Sequence, residues 1–293
     1  MKNNLENLNF FPAVSIVMTT NCRMKCKFCC AEELKKNTSA DKKNLLKIID
    51  ILHDNDVKRI LFSGGEPLLS PFLEDCLKKS YEYKIQNTLM TSDGDLLSKI
   101  SFPKEYVSVI WLSIHGINEE HDAITSVKNS FANLENALIN KKNDYPLSVW
   151  CVLTPALKNK INSYIDWCIN HEVKTVYFTN LSTSGLGDNY IASNGRIENN
   201  DFQEVLDKLR IEYKDKINIL GRGFEANAEC IVIHGNGDVF VTPYFGSENN
   251  EKCFGNILKD NPEKVFQNFK NDLKIWNDYL ERLSKSSLFK ESK

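Results

Sequence analysis

Short apolar runs recur along the first two thirds of the chain, and each ends abruptly in polar or glycine-rich residues. Ala13 to Met18, Arg59 to Phe62, Asn87 to Met90, Val107 to Ile114, Leu147 to Leu153 and Thr175 to Thr179 have the length and composition of strands. Between them the apolar residues fall at helical spacing. Leu45, Leu46, Ile48, Ile49 and Leu52 form one face, with Ser39 and Asp41 as start signals; Phe72 to Tyr83, Phe131 to Lys141 and Asn162 to His171 form others. Strands that alternate with helices, and are apolar on both faces, give a parallel sheet with right-handed crossovers, covered on both sides. The pattern predicts an α/β fold, a partial (β/α)6 TIM-like barrel. Residues 22–29, 63–66, 91–94 and 113–115, Thr154 and Asn180 all follow strands. They are therefore expected to converge on the carboxyl edge, where such folds build sites.

Past residue 186 the rhythm changes. Residues 185–200 read as loop and 201–213 as helix. Residues 217–220, 230–233 and 239–242 read as short strands, with His234-Gly-Asn-Gly-Asp238 as a hairpin turn and a terminal helix over 265–283. The predicted organisation is a lead-in over 1–12, a core barrel over 13–218 and a small α+β C-terminal cap over 219–293.

Composition narrows the function classes. With 37 basic and 39 acidic side chains among 293 residues, the net charge of −2 carries no nucleic-acid footprint. No apolar run approaches the ~18 residues of a membrane span, and the N-terminus lacks the basic head and apolar stretch of a signal peptide. A cytoplasmic protein with no membrane partner is expected. Its nine cysteines then read as metal-binding, catalytic or buried rather than as disulfides.

Three of them, Cys22, Cys26 and Cys29, are spaced Cys-x3-Cys-x2-Cys directly after the first strand, with Phe28 before the last. Three soft thiolates close together can hold an iron–sulfur cluster and leave one iron of a four-iron cluster open to a small molecule. The alternative is a zinc loop, although a second cysteine arm is missing. After the second strand comes Ser63-Gly64-Gly65-Glu66-Pro67. The glycines permit close backbone approach; an ordinary turn is the alternative.

The cysteine spacing with its aromatic, followed by Gly-Gly-Glu-Pro, resembles the radical S-adenosylmethionine (SAM) superfamily over roughly residues 14–185. The resemblance implies one 4Fe-4S cluster on Cys22, Cys26 and Cys29, with Phe28 beside it. It implies SAM bound through Ser63, Gly64, Gly65 and Glu66 at its methionyl amine, Thr91 and Ser92 at the third strand end, Ser113 at the ribose or carboxylate, and Leu153 at the adenine. Ser113-Ile-His115-Gly, then His121-Asp122, then Ser130-Phe131 is similar to a run found in peptide- and metabolite-modifying members. There, an Arg that holds the SAM carboxylate corresponds to Thr125 here. His115 is a candidate proton donor or a loop-shaping residue. Cys230 and Cys253 are candidate hydrogen donors in a region that resembles a degenerate SPASM/twitch domain, with too few cysteines for an auxiliary cluster. The implied activity is reductive cleavage of SAM to a 5′-deoxyadenosyl radical that abstracts a substrate hydrogen, with electrons from an external donor such as flavodoxin or ferredoxin. The expected substrate is a ribosomally made peptide, altered by epimerisation, cross-linking or related C–H chemistry. The alternatives are a sugar, nucleoside or other small metabolite, or an inactive iron–sulfur or zinc-binding protein.

Overall fold

A computed structural model describes residues 8–31, 40–183, 185–221, 231–241 and 253–285. In chain order the elements are β1 (Ala13–Val17), α1 (Lys42–Asp54), β2 (Arg59–Ser63), α2 (Leu73–Glu82), β3 (Gln86–Thr91), α3 (Gly94–Leu97), β4 (Val109–Ser113), α4 (Glu119–Thr125) and α5 (Ser130–Lys141). There follow β5 (Leu147–Val152), α6 (Pro155–Lys158), α7 (Ile161–Asn170), β6 (Thr175–Thr179), α8 (Gly187–Asn194) and α9 (Asn199–Glu212). The chain then runs through β7 (Asn218–Gly221), β8 (Ile231–His234), β9 (Asp238–Val241), β10 (Cys253–Asn256), α10 (Pro262–Lys270) and α11 (Leu273–Lys285). They fall into two compact units, residues 1–21, 34–88 and 225–293 in the first and 22–33 and 89–224 in the second. β3 begins in the first unit and ends in the second.

In the first unit the strand order is β10-β9-β8-β1-β2. β1 lies parallel to both neighbours, with Val17 in register with Ser63 of β2 on one side and with His234 of β8 on the other. All five β1 residues are buried, as expected of a central strand flanked on both sides. α1 is capped by Asp41, which accepts from Asn44 N–H at 2.8 Å, and buries Leu45, Ile48, Ile49 and Leu52. The aromatic end of the lead-in, Phe10 and Phe11, is 4% and 1% exposed. Phe11 packs edge-on against Phe266 of α10 at 4.9 Å between centroids, so these two residues are core rather than approach.

The second unit carries parallel β4, β5, β6 and β7. Its helices bury apolar faces such as Phe131, Leu134, Ala137 and Leu138 of α5.

The fold is the expected α/β one with C-terminal antiparallel strands, β9 and β10, and the strands that lead into that region join existing edges: β7 pairs parallel with β6, and β8 pairs parallel with β1. Short apolar strands complete whichever edge is open, and which edge that is depends on tertiary pairing. Residues 187–194, read as loop because they are small and polar, form α8, closed by Gly195 at φ 74°. The terminal helix is two helices. α10 ends at its C-cap Asn271, and Asp272 accepts from Ile275 N–H at 3.3 Å to start α11.

Candidate active site

In the first unit, the ends of β1 and β2 form a strand edge. Past Val17 the chain keeps pairing. Met18 N–H donates to Ser63 O at 2.9 Å, Gly65 N–H to Thr19 O at 2.8 Å and Glu66 N–H to Asn21 O at 2.8 Å. A Cβ on Gly64 would stand 2.4 Å from Thr19 O; one on Gly65 would stand 2.4 Å from Asn21 O and 2.7 Å from Thr20 O. The two glycines are therefore required by main chain, the three residues that lead into Cys22. Glu66 is fully buried, and its Oε1 accepts from Leu68 N–H at 3.2 Å, capping the single turn Pro67–Leu69. Ser63 stays partly exposed.

The second unit carries the cysteine loop. Cys22, Cys26 and Cys29 are partly buried, as is Cys30. Main-chain bonds from distant segments hold the loop: Lys25 N–H and Lys27 N–H donate to the carbonyls of Thr125 and Ile124 at 2.9 Å each, and Leu186 N–H donates to Cys29 O at 3.0 Å. Gly185, at φ 56°, is required because a Cβ would stand 2.3 Å from Cys29 O. Phe28 is buried, edge-on to His115 at 5.1 Å and to Tyr190 at 5.3 Å. Burial, then the charges of Cys29, Cys22 and Cys30, push the Cys26 thiol up to about 12. Thiols that oppose one another's ionisation are a donor set that a cationic cluster relieves. Among the described residues no three His, Cys, Asp or Glu side chains converge to hold a single metal ion. A cubane presents separate irons to separate thiolates and needs no such convergence. The residues present thus fit a 4Fe-4S cluster.

Arg23, inside the loop, was not singled out from the sequence. Its Nε donates to Asp93 Oδ2 and its Nη2 to Asp93 Oδ1, both at 2.5 Å, with a further bond to Asp95 at 3.1 Å. Asp93 is buried and also caps α3, accepting from Leu96 N–H at 3.1 Å. Arg23, Met24, Ser92, Asp93 and Ser130 line a cavity of about 210 Å³. Thr91 lies beside it as a buried turn residue, its Oγ1 accepting from Asp93 N–H at 3.1 Å. An arginine between cluster-spaced cysteines, with an acid at a strand end, was the available signal.

The run from His121 to Phe131 proves to be a scaffold. The Asp122 carboxylate accepts from Asn129 N–H at 2.6 Å, Ser130 Oγ–H at 2.9 Å and Phe131 N–H at 2.8 Å, and so fixes the start of α5. Burial raises its pKa, but these three bonds outweigh that and hold it below its ordinary value. Thr125 is fully buried and bonded to Ser130 Oγ at 2.6 Å. Its side chain completes the α4–α5 corner, and its carbonyl serves the cysteine loop.

His115 Nδ1 accepts from Val152 N–H at 3.2 Å, and His121 Nδ1 accepts from His115 N–H at 3.0 Å. Burial, reinforced by His121, pushes His115 down to about 3; burial likewise pushes His121 down to about 4, against the pull of Asp122. His115 Nδ1 thus serves as an acceptor within the loop. Ser113, 8% exposed, ends β4. Leu153 has no exposed surface and pairs through its N–H with Thr179 O at 2.8 Å. It is a core side chain rather than an open purine face.

Cys253 is exposed on β10, in register with Phe240, which pairs with Val232, which pairs with Ser15. Three strand spacings of about 4.8 Å put it roughly 14 Å from β1. Cys230 lies outside the described residues. No helix among the described residues is long and apolar enough to cross a membrane.

Residues 16–155 match the Radical SAM superfamily. Over 278 residues the chain is 26% identical to an S-adenosylmethionine-dependent nucleotide dehydratase of Flammeovirga pacifica, across 88% of this chain and 91% of that protein. It is 23% identical over 252 residues to a GTP 3′,8-cyclase of Chlorobaculum tepidum, across 82% and 73%. Among solved structures, anSMEcpe with bound AdoMet and the Kp18Cys peptide superposes with a TM-score of 0.72, at 18% identity, over 91% of this chain and 83% of that one. At that identity the likeness is one of fold.

Proposed function

This chain belongs to the radical SAM superfamily, whose members carry a 4Fe-4S cluster and SAM, and on that premise we propose that it abstracts a hydrogen atom from a nucleotide. Together, the bound cluster and SAM supply the 5′-deoxyadenosyl radical that takes the hydrogen. The chain's own residues hold, orient and shield. Cys22, Cys26 and Cys29 would ligate the cluster on a loop anchored by the Thr125 and Ile124 carbonyls and by Leu186 N–H. Ser63 to Glu66 would receive the methionyl amine, with Ser92 and Ser113 at further strand ends. Phe28, packed between His115 and Tyr190, would keep water from the reactive centre.

The observation that carries the nucleotide reading is the likeness to a nucleotide dehydratase across nearly the whole of both chains. It is the alternative substrate class of the sequence reading rather than the preferred one. A peptide substrate is the second reading, favoured by the fold likeness to anSMEcpe with its bound peptide.

The test is anaerobic reconstitution with iron and sulfide, then SAM and dithionite, with 5′-deoxyadenosine measured against ATP, GTP, CTP, UTP and a peptide library. A nucleotide that raises 5′-deoxyadenosine and is itself converted is the expected result. Stimulation by peptides alone would replace the substrate class. An iron-loaded protein that yields no 5′-deoxyadenosine would return the inactive reading. Replacing Cys22, Cys26 and Cys29 by Ala is expected to abolish iron loading, and retained iron would overturn the ligand assignment.

A further inference from the structure

His234 ends β8 in register with Val17, the last residue of β1, whose other neighbour is Ser63. In parallel strands, side chains in register share a face, so Ser63, Val17 and His234 form one row at the carboxyl edge. The same face continues through Val232 and its partner Phe240. The imidazole is 5% exposed, yet its Nε2 has no hydrogen-bond partner. Buried polar groups are partnered in the large majority of cases, because an unmade bond loses the group's hydration with nothing in return.

The neighbouring acid does not satisfy it. Asp238 takes a bond from Asn236 Nδ2 at 2.7 Å and another from Asn256 Nδ2 at 2.7 Å. The hairpin itself is fixed: Gly237, at φ 92°, donates its N–H to His234 O at 2.8 Å. The ring therefore sits on a braced turn, next to the half-buried Phe240, with 4.7 Å between centroids. Burial holds it neutral, against the pull of Asp238. A neutral imidazole offers one donor and one acceptor, which suits the amide-like edge of a planar base; phosphate calls for cationic donors. Phe240 adds a ring on which a base can pack.

We propose that His234 and Phe240 form the base-recognition subsite of the substrate nucleotide, with His234 Nε2 bonded to the edge of the base. This rests on the nucleotide reading above.

The test uses the SAM-loaded, reconstituted enzyme with His234→Phe and His234→Gln. ATP, GTP, CTP and UTP are titrated calorimetrically, and the Tm is measured without nucleotide. Removing an orphaned polar atom is expected to raise the Tm of His234→Phe by about 2–4 °C. The tightest of the four nucleotides is expected to weaken about tenfold in that variant, and preference among the bases to collapse. His234→Gln, which restores an amide near Nε2, is expected to recover affinity to within about threefold. A His234→Phe enzyme with unchanged affinity and base preference would overturn the inference and leave the nucleotide reading intact. A lower Tm would also overturn it, by showing the ring to be a packing group. If the wild type binds none of the four, the nucleotide reading fails, and the base subsite fails with it.

Discussion

Gly65→Ala is the sharpest probe of why two glycines follow β2. The added methyl would meet Asn21 O at 2.4 Å, Asn21 C at 2.7 Å and Thr20 O at 2.7 Å, all main-chain atoms that no rotamer change can move. Overpacking against backbone costs about 1–3 kcal/mol. Relief requires Thr19 to Asn21 to withdraw, which breaks the bonds from Gly65 N–H and Glu66 N–H, at about 1 kcal/mol each. The sum, about 3–5 kcal/mol, corresponds to a fall in Tm on the order of 10 °C for a chain of this size. Because Asn21 is covalently joined to Cys22, iron bound per chain after reconstitution is expected to fall as well. Gly195→Ala is the control: unlike Gly65 it carries a positive φ, 74°, but its nearest neighbour stands 4.0 Å away, so strain of about 1–2 kcal/mol is all it meets. Thermal melts and iron assays on both variants decide the matter. A Gly65→Ala protein that melts and loads iron like Gly195→Ala would refute the claim that main-chain approach explains the glycine pair.

Three further predictions follow from the second unit. Asp122→Asn should lose about 1.5–3 kcal/mol at neutral pH, since charge-assisted bonds to Asn129, Ser130 and Phe131 are weakened. As the folded-state pKa is depressed, that stability is present above the unfolded value and lost as pH falls through the folded one. Urea curves of variant and wild type should therefore converge below about pH 4. His121→Asn keeps an acceptor for His115 N–H and removes a base whose folded pKa, about 4, lies below its unfolded one. The wild type should therefore lose stability from about pH 6.5 down to that value, and the variant should lose less; equal acid slopes in urea would count against a buried neutral His121. A double-mutant cycle on Arg23→Ala and Asp93→Ala should give a coupling of about 1 kcal/mol, because Asp93 is buried while the Arg23 side chain is 45% exposed and screened by water. Strictly additive melts would show the pair to be idle.

The six strands β1 to β6 were legible because each is a compact apolar run that stops at polar residues, and that signal is local. The edges were not. Nothing in Asn218–Gly221 or Ile231–His234 says which open strand each will join, and β7 completes β6 while β8 completes β1. The same division holds in the site. The cysteine spacing and Gly64–Glu66 could be read as motifs, and so could the acid that fixes Ser130 and Phe131. Leu153 could not be told from a core residue by its letter alone, and is one. His115 became a neutral acceptor only once its Nδ1 faced Val152 N–H. Arg23 and Asp93 are 70 residues apart, and a pair of that kind has no sequence period to reveal it.

The anchoring of the cysteine loop has a consequence for biogenesis. Its main-chain partners, Thr125, Ile124 and Leu186, with Gly185 against Cys29 O, belong to segments synthesised well after the cysteines. While the chain is still on the ribosome, the thiols emerge before anything exists to hold them in place. Iron loading at this loop is therefore expected to await translation of residues 185–186, and truncated chains that stop short of them should remain as thiol-bearing precursors.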